Sequence, residues 1–319
     1  MRKAGGGIPV VWAKSSFAKI QMLAFIVIQA VAVVRFTRGF DLIHAQWTLS
    51  AGIVALTRKI HRCPIVATLQ GSDLFQVPRS KAGRFLTRWT LNRIDQITVL
   101  SNALFREVVK IGISQDKVKI IPNGVDIHQF FPKESRENTI LYVGSLIERK
   151  GVKYLIEAFS MLADKYPEYS LTIVGSGQEF ENLQQIARNK GLLSRVVFTG
   201  AISPNEVKDR MQHAKVFTLP SLEEGLVVVL LEALACGTPV VASSVGGIKD
   251  IVSPDVGLLV SPASPEELMS GIDWLLKNRS SWETMSKNAR RKAIQKYDWT
   301  NIARQFVIIY QKLIDIAGG

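Results

Sequence analysis

Cysteine is scarce in this chain, which has Cys63 and Cys236 among 319 residues. The two lie far apart in apolar runs, and no Cys/His cluster of metal-binding spacing surrounds either one. This usage argues against a disulfide framework and against a structural zinc site. A reducing, cytoplasmic compartment fits it best.

The chain also lacks a long uninterrupted apolar run. The most apolar segment, residues 17–34, contains Lys19, Gln21 and Gln29, whereas a membrane-spanning helix needs about 20 nearly continuous apolar residues. We therefore expect a buried or interfacial helix rather than a membrane span. Glycines follow directly after Met1-Arg2-Lys3, so the start of the chain does not have the pattern of a signal peptide.

Acidic residues are few in the first part of the chain. Residues 1–134 contain 19 Lys and Arg but 7 Asp and Glu, a net charge of +12, whereas residues 135–319 have a net charge of +1. Two interpretations stay open: a solvated basic surface, or a face for an anionic membrane or a phosphorylated substrate. Nucleic acid is not an expected partner, because no recognised nucleic-acid module is present.

Short apolar runs that resemble strands alternate with helical patterns along the whole chain. The predicted strands are 41–45, 64–72, 96–101, 118–122, 140–146, 170–175, 195–200, 215–220, 239–243 and 257–260. Most are continuous rather than alternating in apolar character, which indicates parallel strands buried on both faces. The pattern predicts an α/β protein with doubly wound parallel sheets of the Rossmann type.

The predicted strands divide into two domains. A turn signal at Pro122-Asn123-Gly124 and a polar stretch at 132–135 mark a boundary, so we expect domains at 1–134 and 135–296. Residues 297–319 are expected to form a helix that packs back on the first domain. The first domain has four predicted strands against six in the second, and we expect it to be incomplete, with the chain starting inside it.

The most informative stretch runs from Pro220 to Pro239. A strand is expected to end at Pro220 and a helix to start near Gly225, where free N–H groups suit a diphosphate. Glu224 and Glu232 are eight residues apart, which on one helix is about 12 Å along the axis on about the same side. Two carboxylates that flank a single glycosidic bond stand closer together than this. The spacing suits a nucleotide-sugar, although two surface glutamates at helical spacing remain the alternative.

A second stretch, residues 142–151, predicts a strand, a loop and a helix. It places Arg149 and Lys150 after the carboxyl end of a parallel strand, where such folds bind ligands. Cations at this position can neutralise a diphosphate. The alternative is that both are solvated basic residues ahead of a helix.

At this point a family resemblance can be stated. The chain resembles the retaining glycosyltransferase family 4, of the two-Rossmann-domain GT-B type, over about residues 39–312. The motifs that carry the resemblance are Pro122-Asn123-Gly124-Val125-Asp126, Val174-Gly175-Ser176-Gly177, Val197-Phe198-Thr199-Gly200, Glu224 to Glu232, Cys236-Gly237-Thr238-Pro239-Val240-Val241-Ala242 and Gly246-Gly247.

The resemblance implies a role for particular residues. Glu224 would contact hydroxyls of the donor sugar, Glu232 the ribose, and Lys150 the diphosphate, with Arg149 helping. The backbone at Leu226, Val227 and Val228 would meet phosphate and sugar, and the backbone near Ile202 would contact the base. The other implied donor-binding residues are Gly144, Ser145 and Gly225. The implied reaction moves a sugar from a nucleotide diphosphate to an acceptor hydroxyl with retention of the α configuration. It would need neither a metal ion nor a cofactor.

On the acceptor side the resemblance is weaker and implies His44, Gln46 and Asp73. Gln46 and Gln70 stand where the family has histidine. On the donor side, Ser145 replaces the usual arginine, and Leu226-Val227 replaces Phe followed by Gly or Pro. The expected acceptor is a glycolipid, a polysaccharide or another envelope glycan, at a cytoplasmic or inner membrane surface.

Three other functions stay open on sequence grounds. The chain could be a donor-binding protein without turnover, since its first domain is expected to be incomplete. It could be a sugar-nucleotide epimerase on the same architecture. It could also be a basic interaction protein at the membrane, which would bind lipid but no nucleotide.

Overall fold

The computed structural model describes residues 16–37, 39–71, 74, 80–224 and 227–318, with side chains from Ile20 onward. These residues form two compact units. The amino-terminal unit joins the described residues up to Pro122 with those from Ile302 onward, and the carboxy-terminal unit is Asn123–Asn301. Each unit contains one parallel β-sheet.

The amino-terminal unit is built on a four-stranded sheet in the order β1-β2-β3-β4. Its elements are α1 (Ser16–Phe36), β1 (Ile43–Gln46), α2 (Thr48–Leu56), α3 (Arg58–His61), β2 (Ile65–Leu69), α4 (Lys81–Asn92), β3 (Gln96–Val99), α5 (Asn102–Lys110) and β4 (Val118–Ile120). Neighbouring strands pair in parallel, with His44 opposite Val66 and Thr68 opposite Thr98.

Strand β2 shows why this sheet needs cover on both faces, since all five of its residues are buried. Ile65, Ala67 and Leu69 pack in a cluster with side chains of α2, α4 and α5. Val66 points to the opposite face, because successive side chains of a strand alternate. There it packs with Ile302 of the carboxy-terminal helix.

The carboxy-terminal unit has a six-stranded parallel sheet in the order β10-β9-β8-β5-β6-β7. Its elements are β5 (Thr139–Val143), α6 (Val152–Leu162), β6 (Ser170–Val174), α7 (Phe180–Asn189), β7 (Val196–Gly200), α8 (Pro204–His213), β8 (Val216–Leu219), α9 (Val228–Ala235), β9 (Val240–Ser243), α10 (Ile248–Ile251), β10 (Gly257–Val260), α11 (Pro265–Lys277) and α12 (Arg279–Lys292). Helix α13 (Trp299–Gly318) follows. The chain runs outward from β5 to β7, returns to β8, and then runs to β10. This reversal makes the sheet doubly wound, as the sequence predicts, and the α/β fold is confirmed.

The division between the units falls before Asn123, earlier than the boundary expected after residue 134. Residues 123–134 lie with the carboxy-terminal unit because their backbone is tied to it. The Arg290 guanidinium donates to the carbonyls of Ile127 at 3.1 Å and Phe130 at 2.8 Å. The Val125 amide donates to the Tyr297 carbonyl at 2.7 Å.

Helix α1 corresponds to the apolar run near the start of the chain. Its Val33 packs against the core of the amino-terminal unit, but Ile20, Leu23 and Ile28 are exposed. It is therefore not a buried helix, and the interfacial alternative stays a prediction. Among the described helices, none combines the length and the apolar character that crossing a membrane requires.

The carboxy-terminal helix provides a test of packing in the amino-terminal unit. Ile309 is 2% exposed and packs with Val66 and Ile121, whereas the neighbouring Ile308 is 65% exposed. We expect Ile309→Ala to lower the free energy of unfolding by about 2–5 kcal/mol, because it leaves a cavity. Ile308→Ala, the control, should change it by no more than about 0.5 kcal/mol. Denaturant unfolding followed by circular dichroism measures both, and equal effects would contradict the packing of α13 described here.

Candidate active site

The carboxy-terminal sheet contains one position where the strand order reverses. Strand β5 lies between β6 and β8, and the loops that leave β5 and β8 turn to opposite faces of the sheet. In open α/β sheets, ligands bind in the crevice that such a reversal creates at the carboxyl ends of the strands. Lys150 follows β5 and Glu224 follows β8, so both belong to the loops at this crevice.

The structure brings these two residues into contact. The Lys150 ammonium donates to Oε1 of Glu224 in an ion pair, and the Ser221 hydroxyl donates to the same oxygen at 2.7 Å. Glu224 and Ser221 are both buried, and a buried carboxylate needs such partners to offset the loss of hydration. No described residue donates to Oε2 of Glu224, which leaves that oxygen as an acceptor.

Glycines allow the loops around this pair to approach one another closely. Gly151 has φ +63°, and a Cβ built on it would lie 2.1 Å from the Pro220 carbonyl oxygen. A Cβ on Gly246, at φ +48°, would lie 2.0 Å from the Glu224 carbonyl oxygen. Both distances are shorter than the contacts that real Cβ atoms make, so the loop after β8, from Pro220 to Glu224, is held between the loops after β5 and β9. A hydrogen bond of 2.8 Å from the Leu222 amide to the Arg149 carbonyl also joins the loops after β8 and β5.

Tyr142 supports the loop that carries Lys150. Its side chain is fully buried, and its hydroxyl donates to the Ser145 carbonyl at 3.0 Å. Gly144 makes room for this hydroxyl, because a Cβ there would lie 2.7 Å from it. Burial first, and then the charge of Glu224, raise the pKa of Tyr142, while Arg149 acts in the opposite direction. The hydroxyl therefore stays protonated and keeps its hydrogen bond.

The other predicted cation is more loosely placed. Arg149 is exposed, and its guanidinium lies 3.4 Å from the Glu223 carbonyl oxygen. Ser145, which stands where the family has arginine, is also exposed. Lys150 is thus the cation that contacts the buried carboxylate, and Arg149 lies at the rim.

The helix after β8 begins later than expected. It runs from Val228 to Ala235, with Val227 as the residue before it, rather than starting near Gly225. Glu224 is therefore not on the helix, and the eight-residue helical spacing to Glu232 does not apply. Lys150 and Ser221 hold Glu224 in the preceding loop.

Glu232 lies half-buried on this helix, and burial raises the pKa of its carboxyl group. No described residue hydrogen-bonds to this carboxyl group. Gly225 and Leu226, two of the predicted donor contacts, lie outside the described residues. Ile202 follows β7 and packs against the core of the carboxy-terminal unit.

The amino-terminal unit holds a separate polar cluster at the ends of β1 and β2. Both ring nitrogens of His44 contact hydroxyls, Nδ1 with Tyr310 at 2.6 Å and Nε2 with Thr68 at 2.7 Å. Burial lowers the pKa of His44, which favours the neutral ring. The side-chain nitrogen of Gln46 lies 3.3 Å from Nε2 of His44. The side-chain amide of Gln70 donates to Oε1 of Gln46 at 3.1 Å. Asp73, the third residue predicted here, lies outside the described residues.

Sequence reasoning missed several residues that shape these clusters. Ser221 stands in the Pro-Ser-Leu-Glu-Glu stretch, three residues before Glu224, and a hydroxyl so close to a key carboxylate was an available signal. Tyr142 begins the second motif, but nothing in the sequence shows that its hydroxyl turns back to Ser145. Tyr310 gives no signal at all, because its contact with His44 joins residues 266 positions apart.

Metal-binding side chains do not gather at this site. Within the part of the chain that the structure describes, no three His, Cys, Asp or Glu residues converge closely enough to hold a metal ion.

The fold and site define an α/β protein with a ligand crevice at a strand-order reversal, and comparison with known proteins identifies the family. Residues 125–292 match the model for glycosyl transferases group 1, and residues 5–129 match glycosyltransferase family 4. The first match alone covers more than half of the chain. The chain therefore belongs to the group 1 glycosyltransferases, and the predicted family is confirmed.

Individual proteins agree with this assignment. The chain is 30% identical over 301 residues to an uncharacterized glycosyltransferase of Methanocaldococcus jannaschii, covering 88% of this chain and 77% of that one. It is similar in structure to sucrose-phosphate synthase of Thermosynechococcus elongatus, with a TM-score of 0.78, 26% identity and coverage of 92% and 78%. Anabaena HepE in complex with UDP gives a TM-score of 0.81 at 24% identity, over 89% and 82% of the two chains, a likeness of fold.

Gly151 and Gly191 form a matched pair that tests the close approach of the two loops. Both have positive φ, +63° and +71°, but a Cβ on Gly191 meets nothing within 4 Å. Gly191→Ala should therefore cost about 1 kcal/mol of stability, from backbone strain alone. Gly151→Ala adds the clash with Pro220 and should cost at least about 1–3 kcal/mol more. Urea unfolding measures the difference, and equal costs would show that the loops are free to separate.

Proposed function

We propose that this glycosyltransferase moves a sugar from a nucleotide-diphosphate sugar to an acceptor hydroxyl with retention of the α configuration. The donor would bind in the crevice between the loops after β5 and β8. The observation that carries the proposal is the Lys150–Glu224 pair at the strand-order reversal, in which the buried Glu224 also accepts from Ser221. A cation and a carboxylate held together there suit the two parts of the donor, its phosphates and its sugar hydroxyls.

In the proposed reaction the bond between the anomeric carbon and the diphosphate oxygen breaks, and the acceptor oxygen bonds to that carbon. The diphosphate leaves with the electron pair of the broken bond, and the acceptor hydroxyl passes its proton to the departing diphosphate. Negative charge thus grows on the diphosphate, and a fixed cation at Lys150 offsets it without a metal ion. Arg149, at the rim, supplies further positive charge.

Glu224 would accept hydrogen bonds from the donor sugar, using the Oε2 atom that its described partners leave open. Glu232 would accept from the ribose. Backbone groups at Gly144, Ser145, Gly225, Leu226, Val227 and Val228 would line the phosphates and sugar, and Ile202 would lie near the base. Support for a nucleotide-sugar donor comes from the Anabaena protein, whose structures of similar fold contain UDP and UDP-glucose.

The acceptor would bind to the amino-terminal unit through His44, Gln46 and Asp73. The neutral His44 ring and the Gln46–Gln70 amide pair suit hydroxyl groups rather than a charged acceptor. We propose a glycolipid, a polysaccharide or another envelope glycan as the acceptor, at a cytoplasmic location. The basic character of residues 1–134 supports a peripheral position on the inner face of an anionic membrane.

Two alternatives keep the donor site but change the outcome. A protein that binds the donor without turnover would show nucleotide binding and no transfer. A sugar-nucleotide epimerase would change the donor sugar without any acceptor. Titration with UDP, followed by product analysis with and without a membrane lipid extract, separates all three.

The assignment of the donor site predicts that Glu224→Gln and Lys150→Ala each lower the rate of sugar transfer by at least about 100-fold. The reason is that one group placed against developing charge contributes about 2.7–4 kcal/mol. The measurement is transfer of radiolabelled sugar from a panel of nucleotide sugars to a lipid extract.

Neighbouring residues of the same chemistry serve as controls. Glu223→Gln and Lys153→Ala change the charge beside the site without touching the buried pair, and should keep at least about half of the wild-type rate. Wild-type rates in Glu224→Gln or Lys150→Ala would remove these residues from the site.

A second expectation concerns metal ions. If Lys150 carries the charge of the leaving group, transfer should continue at an unchanged rate in excess chelator. Activity that disappears with chelator and returns with magnesium or manganese would assign that role to a metal ion instead.

A further inference from the structure

Helix α4 presents large apolar side chains to solvent. Phe85 is 72% exposed and Leu86 is 58% exposed, although both belong to a helix whose opposite side is anchored in the core by Thr87, Thr90 and Leu91. At about 100° per residue, Phe85 and Trp89 project from the side away from these buried residues, and Leu86 lies at the edge of that side. We call this outward side, with the basic residues beside it, the α4 face.

Positive charge lies along the α4 face. Lys81, Arg84 and Arg88 are exposed on one flank of the apolar residues, and the helix has no acidic residue. On the other flank, the Arg93 guanidinium lies 3.9 Å from the centre of the Trp89 ring.

Lys117, from a neighbouring element, adds to this charge at the end of α4, where its ammonium donates to the Asn92 carbonyl at 2.9 Å. Arg58 donates to the Arg93 carbonyl there, but its charge is paired with Asp95. The Arg84 guanidinium donates to the Lys110 carbonyl at 3.0 Å, which ties this basic side chain of α4 to the end of α5.

Two acidic side chains of the amino-terminal unit are already paired. Asp95 forms an ion pair with Arg58 at 2.7 Å, and Glu107 pairs with Lys110 at 2.6 Å. Neither carboxylate is therefore free to oppose an anionic partner.

We propose that the α4 face binds the headgroup layer of an anionic phospholipid bilayer. A helix with bulky apolar side chains and basic flanks lies in the plane of a membrane interface in this way. The apolar side chains enter the acyl boundary, while the basic ones stay with the phosphates. Trp89 with Arg93 beside it has the composition typical of such interfaces.

Charge complementarity favours an anionic surface as the partner of the α4 face. Four basic side chains lie beside its apolar residues, and the helix has no acidic residue. The proposal rests on the membrane part of the proposed function and names the surface that would carry it.

The test uses co-sedimentation of the full chain with vesicles of phosphatidylcholine, with and without phosphatidylglycerol. We expect binding to the anionic vesicles alone, weaker at high salt because the Debye length shrinks to about 3 Å at 1 M. Phe85→Ser with Leu86→Ser should weaken binding at least about tenfold. Lys81→Gln with Arg88→Gln should do the same at low salt, since each basic residue contributes about fivefold.

Matched controls come from the carboxy-terminal unit. Leu193 and Met161 are 51% and 46% exposed, and their change to serine should leave vesicle binding within about twofold of wild type. Lys190→Gln with Lys287→Gln removes two exposed charges elsewhere and should have an equally small effect. Thermal unfolding of every variant confirms that it is folded.

Three results would overturn the proposal. They are failure of the wild-type chain to bind anionic vesicles at low salt, unchanged binding by the Phe85/Leu86 variant, and a dimer in lipid-free sedimentation that this variant abolishes. The last result would assign the face to a second copy of the chain. Titration of the wild-type chain and of the same variants with UDP keeps the two proposals apart. Failure of the wild-type chain to bind UDP would count against the donor site and not against the α4 face.

Discussion

A carboxylate buried beside a sheet must be compensated, and the compensation of Glu224 organises the carboxy-terminal unit. Taking this group out of water costs more than any single hydrogen bond returns, so an ion pair and a second donor are both needed. Lys150 and Ser221 supply them from two loops. Removing Lys150 would leave Glu224 without its charge partner. The pair therefore depends on the contacts that hold the loops after β5 and β8 in place.

That surrounding structure consists of small, specific features. Gly151 and Gly246 allow backbone contacts that no other residue permits, and the Tyr142 hydroxyl supports the loop before Lys150. Each feature is also a constraint on the free protein, because it keeps the pair assembled before a ligand arrives. Such preorganisation reduces the reorganisation that binding and catalysis would otherwise require. It also means that a phosphate-bearing ligand must share or displace the Lys150–Glu224 contact.

The amino-terminal unit uses polar groups differently. Its cluster around His44 is neutral and built from hydroxyls and amides, whereas its outer helix α4 carries exposed charge beside exposed aromatic and aliphatic side chains. A neutral polar cluster at the strand ends and a basic apolar helix on the outside suit different parts of an amphipathic molecule. The glycolipid acceptor proposed above, part lipid and part sugar, would match both features.

The sequence by itself determined the fold class, the ten strands and the family, because continuous apolar runs and the Glu224-to-Pro239 motif are local patterns. It also pointed to Lys150 and Glu224 as members of one site. Only the tertiary structure decided that these two side chains touch, that Ser221 joins them, and that the helix starts at Val228. It alone showed Tyr310 against His44 and left Phe85 and Leu86 facing solvent. The physical reason is that periodicity predicts which segments are buried, whereas contacts between distant residues depend on strand order and loop packing, which no local pattern contains.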